Sequence, residues 1–202
     1  MTRHLSEAER RAQILRAARA IFIERGYLAA RVEDIAARAC ISKGAVYFYF
    51  DSKRELFDAL VEEELAVTHS FLAEAERDHR PAVVKLVDLG RRYLDYFAGL
   101  KTPPRFFLLM SELAIRDEDL RRRVNGVHEK FLAATERVIA QGIAEGAFRD
   151  YDPRAIALFL KAFIDGLAGQ SAVGVRPDVE RLANDGIRML LTGLVAQPGA
   201  ST

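Results

Sequence analysis

Apolar residues return at helical spacing along nearly the whole chain, and no stretch alternates as a half-buried strand would. Ser6 with Glu9 reads as a capping box. Behind it Ile14, Leu15, Ala18, Ile21 and Phe22 share one face, until Gly26 ends the helix. Tyr27 to Arg31 is a short connector. Val32, Ile35, Ala36 and Ala39 point to one side of a two-turn helix, Cys40-Ile41 makes a tight turn, and Ser42 caps a second short helix through about Tyr49. Ser52 with Glu55 is another capping box, opening a long helix to about His79. Further helices are predicted from Val83 to about Gly99, from Arg105 to Ala114 behind Pro103-Pro104, from the cap Asp117 to Glu145 with Gly146 closing it, from Asp152-Pro153 to Ala172, and from Arg176-Pro177-Asp178 to near Leu194. The chain is therefore expected to be all-α, with about nine helices. Residues 6–55 are expected to form one small domain and residues 56–196 a larger helical bundle.

The two short helices carry the main functional signal. Residues 32–50 have the pattern of a helix-turn-helix: two amphipathic helices on a tight turn that cross steeply, so that the second stands proud of the domain and fits a major groove about 12 Å wide. Ile35, Ile41, Val46 and Phe50 are spaced to form the shared core, and the small Ala36 lets the helices approach. Ser42, Lys43, Gly44, Ala45, Tyr47, Phe48 and Tyr49 remain on the outer side. Lys43 and Gly44 sit where a side chain reaches a base edge and a missing one allows close approach; Tyr47 offers a hydroxyl to a phosphate oxygen. Lys53 and Arg31 are candidate phosphate neutralisers on either side.

Charge adds modest support. Net charge is +1, but residues 1–55 hold eleven Lys and Arg against seven Asp and Glu, and the remainder nineteen against twenty-two. A basic head on a mildly acidic body suits a polyanionic partner for the head. A single cysteine excludes an intrachain disulfide and fits a reducing compartment. No apolar run reaches the roughly 18 residues that cross a bilayer, and the charged N-terminus lacks a leader pattern, so a cytoplasmic protein with no membrane partner is expected. His4, His69, His79 and His128 stand singly, without metal-ligand spacing, and no nucleophile motif, phosphate-cradling loop or carboxylate pair suggests an enzyme. Neither metal nor cofactor is expected. Cys40 reads as a turn residue; a redox role would need exposure and a lowered pKa.

Residues 10–60 resemble the DNA-binding domain of the TetR family of regulators. The likeness lies in Ile14-Leu15-Arg16-Ala17-Ala18, in Phe22 with Gly26-Tyr27, in Val32-Glu33-Asp34-Ile35-Ala36, in Ser42-Lys43-Gly44-Ala45-Val46-Tyr47, and in Tyr49-Phe50-Asp51-Ser52-Lys53-Arg54-Glu55-Leu56, in matching order and spacing. Three positions depart from the usual pattern. Arg31 replaces a hydroxyl residue, Cys40 replaces the turn glycine at a cost of about 1 kcal/mol if the left-handed turn is kept, and Phe48 replaces a commonly polar residue.

The resemblance implies a ligand cavity among the helices of residues 52–145. Phe71, Tyr93, Phe97, Phe106, Phe107, Met110, His128 and Phe131 are the candidates to line it, for an apolar or amphipathic small molecule, although an aromatic stripe of this kind is usually core. His128 reads either as a pocket residue or as a partly exposed helix residue. The last two long helices have broad apolar faces, with Ile156, Phe159, Leu160, Phe163 and Leu167 on one and Ile187, Leu190, Leu191 and Leu194 on the other. Paired with their copies they would form a four-helix bundle, or else they close the monomer core. The resulting expectation is a homodimeric repressor released from a near-palindromic double-stranded DNA operator by a small-molecule effector. The alternative is a helical ligand-binding or scaffold protein whose DNA head is non-functional.

Overall fold

The computed structural model describes residues 5–99, 104–176 and 178–194, without the side chains of residues 68, 75, 76, 94–99, 179, 183, 187, 190, 191 and 194. The described residues form helices and connecting turns. They are α1 (Glu7–Ala29), α2 (Val32–Arg38), α3 (Lys43–Tyr49), α4 (Lys53–Arg77), α5 (Ala82–Gly99), α6 (Arg105–Ala114), α7 (Glu118–Ala144), α8 (Pro153–Ala172) and α9 (Val179–Arg181). A π-helical turn, Leu182–Gly186, joins α9 to α10 (Ile187–Leu194), so the last helix expected from the sequence is one run with a widened middle.

The caps form much as the sequence predicts. Ser6 Oγ accepts from Glu9 N, and Glu9 accepts in return from Ser6 N at 2.8 Å. Ser42 Oγ accepts from Ala45 N at 3.0 Å, Ser52 Oγ from Glu55 N at 3.0 Å, and Asp117 Oδ1 from Leu120 N at 3.0 Å. At Ser52 the reciprocal arm differs, because the Glu55 carboxylate accepts from Asp51 N instead. Gly26 breaks α1 with φ 74° and ψ 164°, a conformation closed to most side chains, and the chain regains one helical turn before Ala30.

α1 packs on α2, α4 and α6, and α7 packs on α4, α5, α6 and α8. The main apolar core begins with Ile14, Ala18 and Phe22, takes in Ile35, Val46 and Phe50, and continues through Leu56, Phe57 and Leu60 to Phe106, Met110, Leu120 and Val124. The boundary expected at residue 55 therefore falls at the start of a continuous α4, with core on both sides of it. Phe57 meets Phe22 and Phe106 at ring centroid distances of 5.6 and 5.4 Å. Arg19 lies over Phe106 at 4.7 Å and pairs with Glu64 at 2.7 Å, so α1 is tied to both α6 and α4.

By length and composition alone α8 is apolar enough to cross a membrane. This corrects the expectation that no such segment exists. The excess apolarity is an open stripe: Leu158 and Phe159 are 57% and 58% exposed, and Phe163 is exposed beside them.

Candidate nucleic-acid interface

The head is a three-helix unit in which α3 is held by its inner side. Val46 is fully buried and Phe50, just past the helix, nearly so, against Ile35 and Ala36 of α2. The turn between α2 and α3 is fixed by backbone bonds from Cys40 N to Ala37 O and Ile41 N to Ala36 O. Gln13 Nε2 of α1 adds a 2.7 Å bond to Ala39 O. Cys40 sits in this turn, exposed, at φ 55°, so the left-handed geometry is kept without glycine. Arg11 of α1 donates to Tyr49 O at 2.8 Å while its guanidinium lies over the Phe50 ring at 4.3 Å, which pins the far end of α3.

Held this way, α3 turns Ser42, Lys43, Gly44, Tyr47 and Phe48 outward, all exposed, while Arg31 is exposed at the start of α2. Tyr47 is 43% and Phe48 82% exposed. Lys43 Nζ lies 5.7 Å from the Tyr47 ring centroid and 2.6 Å from Glu33 of α2. That hydrogen bond holds the Glu33 carboxyl below its ordinary pKa and raises that of Lys43. The arrangement is a convex, partly basic ridge of a helix's width, which suits a groove lined by phosphates.

Three expected contacts fall elsewhere. Lys53 turns back onto α1, where Nζ donates to the carbonyls of Tyr27 at 2.9 Å, Ala30 at 3.1 Å and Leu28 at 3.3 Å and lies over the Tyr27 ring. An ammonium has three hydrogens, and the carbonyls left open where α1 ends at Ala29 take them all, so in this structure Lys53 caps a helix end instead of pointing outward with the α3 ridge. Tyr49 is half-buried against the head core, and Ala45 is half-buried beneath the ridge. The sequence places both on the second helix, but its apolar face proves wide enough to include them.

The body contains a partly enclosed cavity of about 70 Å³, between α4, α5, α6, α7 and α8. Of the expected lining, Tyr93, Phe107, Met110 and His128 are there. Phe71 and Phe131 stand behind Tyr93, at ring distances of 5.2 and 5.6 Å. Phe106 faces the head instead, and the Phe97 side chain lies outside the described residues. The sequence pattern did not single out Glu64, Leu65, Val124, Val127, Lys161, Ile164 and Asp165, which also line the cavity, with Val67, Pro104 and Ala168. It weighted aromatic residues, whereas the wall is mostly aliphatic with four ionisable groups. Burial, then the Lys161 ammonium, hold the His128 imidazole below its ordinary pKa, with Asp165 and Glu129 opposing.

Of the expected dimer residues, Phe159 and Phe163 are exposed and Leu160 half-buried. Leu167 is buried within the chain and Ile156 packs against the core around Val138, Ile139 and Phe148, so these two leave the open stripe, which gains Leu158. The side chains of Ile187, Leu190, Leu191 and Leu194 lie outside the described residues. No group of three or more His, Cys, Asp or Glu that could hold a metal occurs among the described residues.

Two family models match the chain. Residues 14–60 match the bacterial regulatory proteins of the tetR family, and residues 103–193 match the C-terminal region of BetI-type transcriptional repressors. The chain is 29% identical over 197 residues to the probable HTH-type transcriptional regulator ArpR of Pseudomonas putida, covering 90% of this chain and 91% of that protein. Its fold is similar to that of the ketosteroid transcriptional regulator KstR2 of Mycobacterium tuberculosis, with a TM-score of 0.77, 22% identity, and 95% and 98% of the two chains covered. It is also similar to FadR of Bacillus subtilis in complex with stearoyl-CoA, with a TM-score of 0.67, 23% identity, and 90% and 98% covered. With its helix-turn-helix head, its all-helical body and a family model matched in each, the chain belongs to the TetR family of bacterial transcriptional regulators.

Proposed function

We propose that this chain is a repressor that binds a near-palindromic operator as a homodimer and is released by a small amphipathic molecule. It acts in the cytoplasm, by binding alone and without catalysis or a cofactor. The observation that carries this reading is the outward ridge of α3, exposed along Lys43, Gly44, Tyr47 and Phe48 while Val46 beneath it is fully buried. A helix fixed from below and bare above is poised to enter a groove without rearranging.

The dimer rests on the open stripe of α8. Leu158, Phe159 and Phe163 are large apolar groups left in water, and a second copy related by a two-fold axis would cover each set with the other. Release rests on the cavity. Its volume of about 70 Å³ is below the roughly 300–1,000 Å³ of a drug-sized site, so an effector must open it. Glu64 and Leu65 make α4 one wall, and the same Glu64 holds Arg19 of the head. An effector that fits better when α4 has moved away shifts the head by that difference in affinity and no more. A mostly aliphatic wall with ionisable groups suits an amphipathic molecule. The stearoyl-CoA bound to one structural neighbour is of that kind, although this cavity is far smaller.

Selection of duplexes from a random pool by the full-length chain, with the mass of the complex measured by light scattering, tests the reading. Two protomers on a site with two-fold symmetry are expected. A monomer on DNA, or no enrichment, contradicts it.

A further inference from the structure

The outward face of α3 consists of two rows, each of two residues one turn apart. In the first, Lys43 lies against Tyr47, and both end in polar atoms that can serve phosphates or base edges. The second, Gly44 and Phe48, has no polar side-chain atom. Phe48 is the most exposed aromatic residue among those described, at 82%. Its ring is not loose: it stands edge-on to Tyr49 at 5.0 Å, and Arg11 tethers the Tyr49 carbonyl. Gly44 has no internal reason to be glycine. Its φ is not left-handed, and a Cβ there would meet nothing nearer than Ser42 Oγ at 3.9 Å. Inside a helix such a glycine costs stability relative to alanine, so the bare backbone is explained by what approaches from outside.

A ring without donor or acceptor cannot hold a phosphate. In the major groove the apolar feature a base pair presents is the 5-methyl group of thymine. We propose that the Gly44–Phe48 row reads a thymine methyl in each half of the operator, Gly44 letting α3 settle toward the groove floor and Phe48 covering the methyl. This rests on the repressor reading of the head and adds to it the chemistry of one base contact.

Deoxyuridine lacks the methyl and keeps every hydrogen-bonding edge of thymidine. Duplexes selected by the full-length chain are remade with deoxyuridine in place of thymidine, one symmetric pair of positions at a time, and their affinities measured. One methyl removed per half-site is expected to cost the wild type about fourfold each, about sixteenfold for the pair. Phe48→Leu keeps the discrimination, whereas Phe48→Ala binds both duplexes alike. Because Phe48 is exposed, the alanine variant should melt with the wild type, which separates lost contact from lost fold. A wild type indifferent to deoxyuridine at every position, or a Phe48→Ala variant that keeps the full penalty, overturns this inference and leaves the repressor reading standing. Failure of the wild type to select any duplex overturns both.

Discussion

Two lysines with similar expectations in the sequence have different positions in the structure. Lys43 is exposed on the ridge, with Glu33 as its partner. A phosphate must displace that carboxylate, so Glu33→Gln should tighten duplex binding severalfold at low salt, an advantage that fades as salt screens the charges. Lys43→Ala should weaken binding and lower the slope of log affinity against log salt by about 0.9, the contribution of one phosphate contact. Lys53 caps three carbonyls of the α1 end. Lys53→Met should cost about 1–3 kcal/mol of folding stability, measured by urea denaturation, and leave the salt slope unchanged. A reduced slope with unchanged stability would return Lys53 to the DNA. The sequence could separate Lys43 from the core by spacing alone. It could not show that the open carbonyls at the end of α1 would lie within reach of Lys53, because that proximity is made by α1 and α4 packing 26 residues apart in sequence.

At the scale of elements, the caps and breakers were legible because they act locally. Ser6, Ser42, Asp117 and Asp152 begin helices and Gly146, at φ 68°, follows one, each through bonds to near neighbours. What tertiary packing decides was less legible. Gly142, inside α7, looks like a weak point in a helix, yet a Cβ there would lie 2.1 Å from the Phe148 ring. The glycine is the seat of that ring, and its carbonyl also accepts from Ala147 N and Phe148 N at 2.9 Å. Gly142→Ala should destabilise the chain by about 1–3 kcal/mol through overpacking despite the better helix propensity, as read by thermal melting; a stabilised variant would refute the contact. On the same helix His128 has a depressed pKa from burial. The unfolded chain then binds the proton more readily, so stability from this group is present above the ordinary histidine value and lost as pH falls below it. His128→Gln should remove part of the decline in melting temperature between about pH 7 and 5. An identical decline in the variant would assign the slope to other groups.

At the scale of the molecule, the sequence divides the chain near residue 55, and the structure runs one core through that point from Phe22 by way of Phe57 to Phe106. Helical periodicity reports which face of a helix is apolar but not which neighbour covers it. For that reason periodicity places Leu167 on one face with Phe159, whereas packing buries Leu167 and leaves Phe159 exposed. Phe159→Glu places charge in the middle of the open stripe and should shift the chain to monomer in sedimentation, with melting temperature nearly unchanged because the side chain is already exposed. A variant that stays dimeric would move the interface off α8. Whether α3 presents its outer ridge to DNA is read out by fluorescence anisotropy of a labelled random duplex at low salt. The wild type should bind, and Lys43→Glu combined with Tyr47→Ala should lose at least tenfold in affinity. Equal binding by this double variant, or none by the wild type, would contradict a DNA-facing α3.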